Sequence, residues 1–78
     1  MEEKRRQYNL VKVAMVRKNI SREEMAAHLG KTVRTMTRYM TNDVQPSIPE
    51  LFKIAERCGI DARELIVSSL EPPVYIEE

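Results

Sequence analysis

The chain has 78 residues, with 13 Lys+Arg against 12 Asp+Glu for a net charge of +1, one Cys, one His and no Trp. This length makes one small domain with a modest core and leaves no room for a large substrate cavity. The lone Cys and His exclude an internal disulfide and a four-ligand zinc site, and no run of about 18 apolar residues exists to span a membrane.

The N-terminus reads Met1-Glu2-Glu3-Lys4-Arg5-Arg6-Gln7 with no apolar segment behind it, so no signal peptide is expected and a cytoplasmic protein is expected. A first helix is expected from about Glu3 to Lys18, with Leu10, Val11, Ala14 and Met15 at helical spacing and Glu2 and Glu3 suiting its positive end. A second opens on Ser21-Arg22-Glu23-Glu24, a capping box flanked by Ile20 and Met25 as a hydrophobic staple, and Gly30 closes it. A third begins after Thr32 and runs to about Thr41. Met36, Tyr39 and Met40 form its apolar face, while Arg34, Thr35, Thr37, Arg38 and Thr41 fall elsewhere.

After the loop Asn42-Asp43-Val44-Gln45-Pro46, the block Ser47-Ile48-Pro49-Glu50 caps a fourth helix that buries Leu51, Ile54, Ala55 and Cys58 and stops at Gly59. Asp61-Ala62-Arg63-Glu64 caps a fifth, short helix containing Leu65 and Ile66. Two prolines, Pro72 and Pro73, prevent the tail from continuing as helix, and Val74-Tyr75-Ile76 is strand-like in composition. The chain therefore divides into a domain over 1–70 and a tail over 71–78. The tail can pair with its counterpart in a second copy, cover the core, or remain disordered.

The net charge conceals a split. Residues 1–40 carry ten bases and four acids, a surplus of six; residues 41–78 carry three bases and eight acids, a deficit of five. Such asymmetry points to an anionic partner for the basic half, although an unevenly charged solvated surface gives the same count.

Residues 21–40 spell a helix-turn-helix, with the small Ala26 where the two helices approach and Gly30 in the turn. The following blocks, Pro46-Ser47-Ile48-Pro49-Glu50-Leu51 and Gly59-Ile60-Asp61-Ala62-Arg63-Glu64-Leu65, resemble the second half of phage-repressor-like domains. This is the lambda-repressor and Cro type, or xenobiotic-response-element family. The resemblance covers about residues 7–68. It implies an all-α, five-helix DNA-binding domain with a short extended C-terminal tail, whose third helix enters the major groove.

It further implies base contacts from Arg22, Val33, Arg34, Thr35 and Arg38, and phosphate contacts from Ser21, Thr37 and Thr41. Arginine suits base reading because its planar fork can donate two hydrogen bonds to guanine. Val33 offers only apolar contact, for instance to a thymine methyl.

Three positions depart from the family pattern. Met15 and Met40 stand where an Arg–Glu ion pair is common, suggesting a hydrophobic contact instead. Asn42 stands where Gly is usual, and Asn is the residue next best at a left-handed conformation. The loop Asp43-Val44-Gln45 is not basic.

The implied function is a sequence-specific transcriptional regulator, a repressor binding a twofold DNA site as a homodimer, with no cofactor and no membrane partner. The alternative is a protein-interaction module of the same fold, such as an antitoxin-like or adaptor protein using the acidic half. Lys4, Arg5 and Arg6 form either an arm along the DNA backbone or a frayed helix end. His28 reads as a surface histidine, Cys58 as an inert buried thiol, and Met15, Met25, Met36 and Met40 as core filler. No nucleophile–base pair, phosphate loop or metal cluster supports an enzyme.

Overall fold

The computed structural model of the chain describes residues 4–76. In order, the elements are β1 (Arg5–Arg6), α1 (Val11–Arg17), α2 (Arg22–Leu29), α3 (Val33–Met40), α4 (Ile48–Cys58), a 3-10 turn (Ala62–Leu65) and β2 (Tyr75–Ile76). None of the described helices is long and apolar enough to cross a membrane.

The expected caps are in place. Ser21 and Ser47 each accept from the amide three residues on, and Glu24 and Glu50 reach back to complete two capping boxes. Thr32 caps α3 through the amide of Thr35. Gly30 and Gly59 close α2 and α4 at φ 67° and 70°, where an L side chain is strained even though nothing crowds the missing Cβ.

The core gathers one face of each helix. Val11, Met15, Met25, Met36, Ile54 and Leu65 are its largest fully buried side chains, with the staple pair Ile20 and Met25 inside it and Met40 packed against its margin. α1 packs on α3 and α4, and α2 on the same two helices, so α4 serves as the central support behind the α2–α3 pair.

Two expectations give way. The first helix was expected from Glu3, which lies with Glu2 outside the described residues; within them it starts only at Val11. The amides of Tyr8 and Asn9 both donate to Asn42 Oδ1 at 2.8 Å, and that of Leu10 to the carbonyl of Leu65 at 2.8 Å. These distant partners replace the local i−4 carbonyls, so the segment runs extended into α1. Ahead of it Arg5–Arg6 pairs antiparallel with Tyr75–Ile76, Arg5 opposite Ile76 and Arg6 opposite Tyr75.

The expected fifth helix is a single 3-10 turn. Asp61 caps it as foreseen and Leu65 is buried, but Ile66 is extended at φ −119°, ψ 132° and half exposed. The pairing of Ile66 with Asn9, and the bond from the Val67 amide to the Tyr8 carbonyl, draw the chain out of the helix after one turn. Among the described residues the fold is thus four helices with a small two-stranded sheet, not an all-α five-helix domain. The tail folds back on its own chain, with the Gln7 amide donating to Val74 O at 2.8 Å.

Candidate nucleic-acid interface

The α2–α3 pair presents one exposed polar surface. Because Met36 and Tyr39 must point into the core, Arg34, Thr37, Arg38 and Thr41 follow one another at spacings of three and four along the opposite side of α3. Val33, 39 % exposed, stands at the first helical position beside Arg34. Arg34 is exposed and makes no hydrogen bond or ion pair with any described residue.

Arg22 opens α2 next to its cap. Its guanidinium donates to Thr37 Oγ1 at 3.3 Å, which joins the start of α2 to the middle of α3. The Thr37 oxygen accepts there, so its own proton stays available to another acceptor. The other hydroxyls expected on this face are engaged locally. Ser21 Oγ donates to Glu24 Oε1 at 3.3 Å, Thr41 Oγ1 donates to the Thr37 carbonyl at 3.0 Å, and Thr35 Oγ1 accepts from Thr32 at 3.1 Å.

Arg38 is also engaged. Its Nε donates to Asp43 Oδ2 at 2.8 Å. Asp43 is the acidic loop residue just beyond α3, and its other oxygen lies 3.6 Å from Arg5 Nη2. The bond from Arg38, opposed by some desolvation and aided by the charges of Arg38 and Arg5, holds the Asp43 carboxyl below its ordinary pKa. Arg5 donates in addition to the Thr41 carbonyl at 3.2 Å. The N-terminal strand, the end of α3 and the following loop thereby meet at one charged cluster.

Beneath that cluster lies a polar network that sequence reasoning missed. Asn42 takes the left-handed conformation expected of it, φ 60°. Its side chain does more than permit that turn. Oδ1 accepts the Tyr8 and Asn9 amides, and Nδ2 donates to Asn9 O at 3.2 Å. Asn9, itself buried, donates to the Tyr39 carbonyl at 3.0 Å and to Gln45 Oε1 at 2.7 Å. Only Asn42 carried a signal, its place where Gly is usual; Asn9 and Gln45 carry none.

A second missed constellation fixes α3 against α4. Tyr39 Oη donates to the Glu50 carboxylate, 3.0 Å from each oxygen, and Lys31 Nζ stands 3.7 Å from Glu50 Oε2. Burial raises the Tyr39 pKa and the neighbouring Glu50 raises it further. Burial opposes ionisation of Glu50, but bonds from the Ser47 amide and hydroxyl, with Tyr39 and Lys31, bring its pKa below the ordinary value. The capping glutamate therefore also orients the helix-turn-helix.

Three other residues read from the sequence lie off this surface. His28 is exposed, with Nε2 3.1 Å from the Lys53 carbonyl. Cys58 is a buried free thiol whose pKa is pushed up by desolvation. Lys4, Arg5 and Arg6 precede the helices in an extended segment, with the Arg6 guanidinium 5.2 Å from the centre of the Tyr8 ring. No group of three or more His, Cys, Asp or Glu able to hold a metal ion occurs among the described residues.

Comparison with known proteins agrees with this geometry. The sequence model of a helix-turn-helix family matches residues 11–65. The chain is similar to the crystal structure of a candidate DNA-binding protein from Bacteroides fragilis, with 35 % identity and a TM-score of 0.75 over 77 % of this chain and 97 % of that one. It also shares its fold with a transcriptional regulator from Listeria innocua, at 20 % identity and a TM-score of 0.63 over 77 % of this chain and 60 % of that one. No curated protein matches the chain.

Proposed function

Since the chain belongs to the helix-turn-helix family, of the phage-repressor-like type, we propose that it is a sequence-specific DNA-binding transcriptional regulator, a repressor that inserts α3 into the major groove. The observation that carries this reading is the polar stripe along α3, with Arg34 and Arg38 exposed and Thr37 and Thr41 half-buried beside them, joined by Arg22 from the start of α2. Two arginines one turn apart on a surface helix with no acid in its own sequence suit reading of guanine edges.

In this reading Arg34 and Arg38 read bases, Arg22 reaches the edge of the site, and Val33 and Thr35 contact whatever faces the first turn. Thr37 donates to phosphate. Ser21 and Thr41 do so only on giving up their local bonds, which makes them the weaker contacts. The protein acts as a homodimer on a twofold site, with half-sites about one helical turn, roughly 34 Å, apart.

The test is affinity for duplex DNA as a function of salt, with wild type and Arg34→Ala. Phosphate contacts release counterions, so log affinity should fall steeply with log salt. Arg34→Ala should weaken binding to the preferred sequence by about 1–3 kcal/mol. A slope near zero would remove the DNA reading.

One observation favours the protein-interaction reading as well. Exposed Ile48, Phe52 and Ile66 line a groove of about 450 Å³ between α4 and the 3-10 turn. A stable complex with a second protein, in the absence of any DNA shift, would decide for that alternative.

A further inference from the structure

An arginine reads guanine more selectively when its fork is held in the plane of the base. A free side chain must lose rotamer freedom on binding, and it can also donate to phosphates or to other bases. Arg38 is not free. Its Nε–H is taken by Asp43 Oδ2 at 2.8 Å, and this leaves the two terminal amino groups, the edge suited to bidentate donation, unengaged by any described residue.

Asp43, which holds it, is itself tied at three points. Its backbone amide donates to the Arg38 carbonyl at 2.9 Å. The preceding Asn42 is locked by its bonds to the Tyr8 and Asn9 amides. Its second oxygen faces Arg5, which is anchored to the Thr41 carbonyl and lies in β1, paired with β2. Both strands lie outside residues 11–65, the stretch matched by the family.

We propose that Asp43 is a specificity-determining positioning residue: it holds the Arg38 guanidinium for base reading, with Arg5 and the β1–β2 ribbon as its support. The inference rests on the DNA-binding reading above and on Arg38 as a base-reading residue. An acid beside DNA repels phosphates and lowers affinity for every sequence. Asp43 therefore trades general affinity for discrimination at the base pair that Arg38 meets.

Selection from random duplex DNA, followed by affinities for the preferred site and for its single base-pair variants, separates these effects. The proteins to compare are wild type, Arg38→Ala, Asp43→Ala, Asp43→Asn, Arg5→Ala and the double variant Arg38→Ala/Asp43→Ala. Arg38→Ala should abolish preference at one base pair per half-site. Asp43→Ala should reduce preference at that same pair by about fivefold, the low end of what one bidentate contact provides, while binding to unselected DNA stays equal or tightens. Asp43→Asn, which keeps an acceptor without the charge, should fall between. Arg5→Ala should lower the same preference by a smaller factor, and the double variant should match Arg38→Ala.

If Asp43→Ala tightens all binding and leaves that preference intact, the carboxylate is only a repulsive charge and the proposal fails. The other failures are separable. Wild-type protein without salt-dependent DNA binding would refute the DNA reading itself. A wild-type preference untouched by Arg38→Ala would refute the role of Arg38, and the inference would fall with it.

Discussion

Replacing Asn42 by Gly separates two reasons for having Asn at this position. If Asn42 serves only to take a left-handed φ of 60°, Gly should be neutral or stabilising, because it adopts that conformation without cost. If the side chain clamps the N-terminal segment, Gly removes the acceptor of two amides, Tyr8 and Asn9, each at 2.8 Å. An unmade hydrogen bond to a buried amide costs about 1–3 kcal/mol. Asn9 is buried and Tyr8 is half exposed, so the lower end applies to Tyr8, and Asn42→Gly should lose about 2–4 kcal/mol in all.

Asn42→Ala loses the same bonds and adds about 1–2 kcal/mol for a Cβ in the left-handed region. Chemical denaturation read by circular dichroism measures both variants. For a domain of this size each kcal/mol moves the midpoint of a thermal melt by roughly 4–8 °C, so the two effects are well separated. An Asn42→Gly protein as stable as wild type would refute the clamp and leave the backbone conformation as the whole explanation.

Further outcomes follow from the core and the titrating groups. Met15 is 1 % exposed, and Met15→Ala should destabilise the fold by about 2–5 kcal/mol through the cavity it leaves; a loss below 1 kcal/mol on denaturation would mean that the site collapses freely. The depressed pKa of Glu50 means that its contribution is fully present above the ordinary value of 4.5 and is lost as pH falls through the lower folded value. Wild type should therefore lose stability on acidification, and Glu50→Gln should show a shallower dependence than wild type in melts between pH 6 and pH 3; equal slopes for the two proteins would refute this. Native Cys58 should resist alkylation at neutral pH, since burial disfavours its thiolate. Mass spectrometry should find the adduct forming at the rate of unfolding, and rapid labelling of the native protein would contradict the burial. Tyr39→Phe removes the donor to the Glu50 carboxylate and should cost about 1.5–3 kcal/mol in the same denaturation assay.

Much of the helix-turn-helix was legible because its signals are local. Ser21 with Glu24, Ser47 with Glu50, Thr32, Gly30 and Gly59 act within three residues of themselves, and each does what its position indicates. Periodicity likewise assigned Met36 and Tyr39 to the core, which leaves Arg34 and Arg38 on the outer side of α3. The candidate surface could thus be named residue by residue. What could not be read was how those residues are occupied. The pairing of Arg38 with Asp43 follows from where the chain turns after α3, and that of Arg22 with Thr37 from how α2 crosses α3.

The two ends of the domain show the boundary most clearly. Residues 4–10 and 61–67 have compositions compatible with helix, and the sequence by itself determined only that the caps and apolar positions there permit one. The tertiary structure decided otherwise, because Asn42, Leu65 and the tail strand offer the backbone of residues 5–10 hydrogen-bond partners far away in sequence. A short helix is marginal without packing, since its nucleus fixes several residues for one hydrogen bond. Partners that arrive with the rest of the fold therefore outcompete it. Local caps and spacing determine α2, α3 and α4, whereas the ends of the domain, and with them the approach of Arg5 to Asp43, are set by contacts between residues more than 30 positions apart.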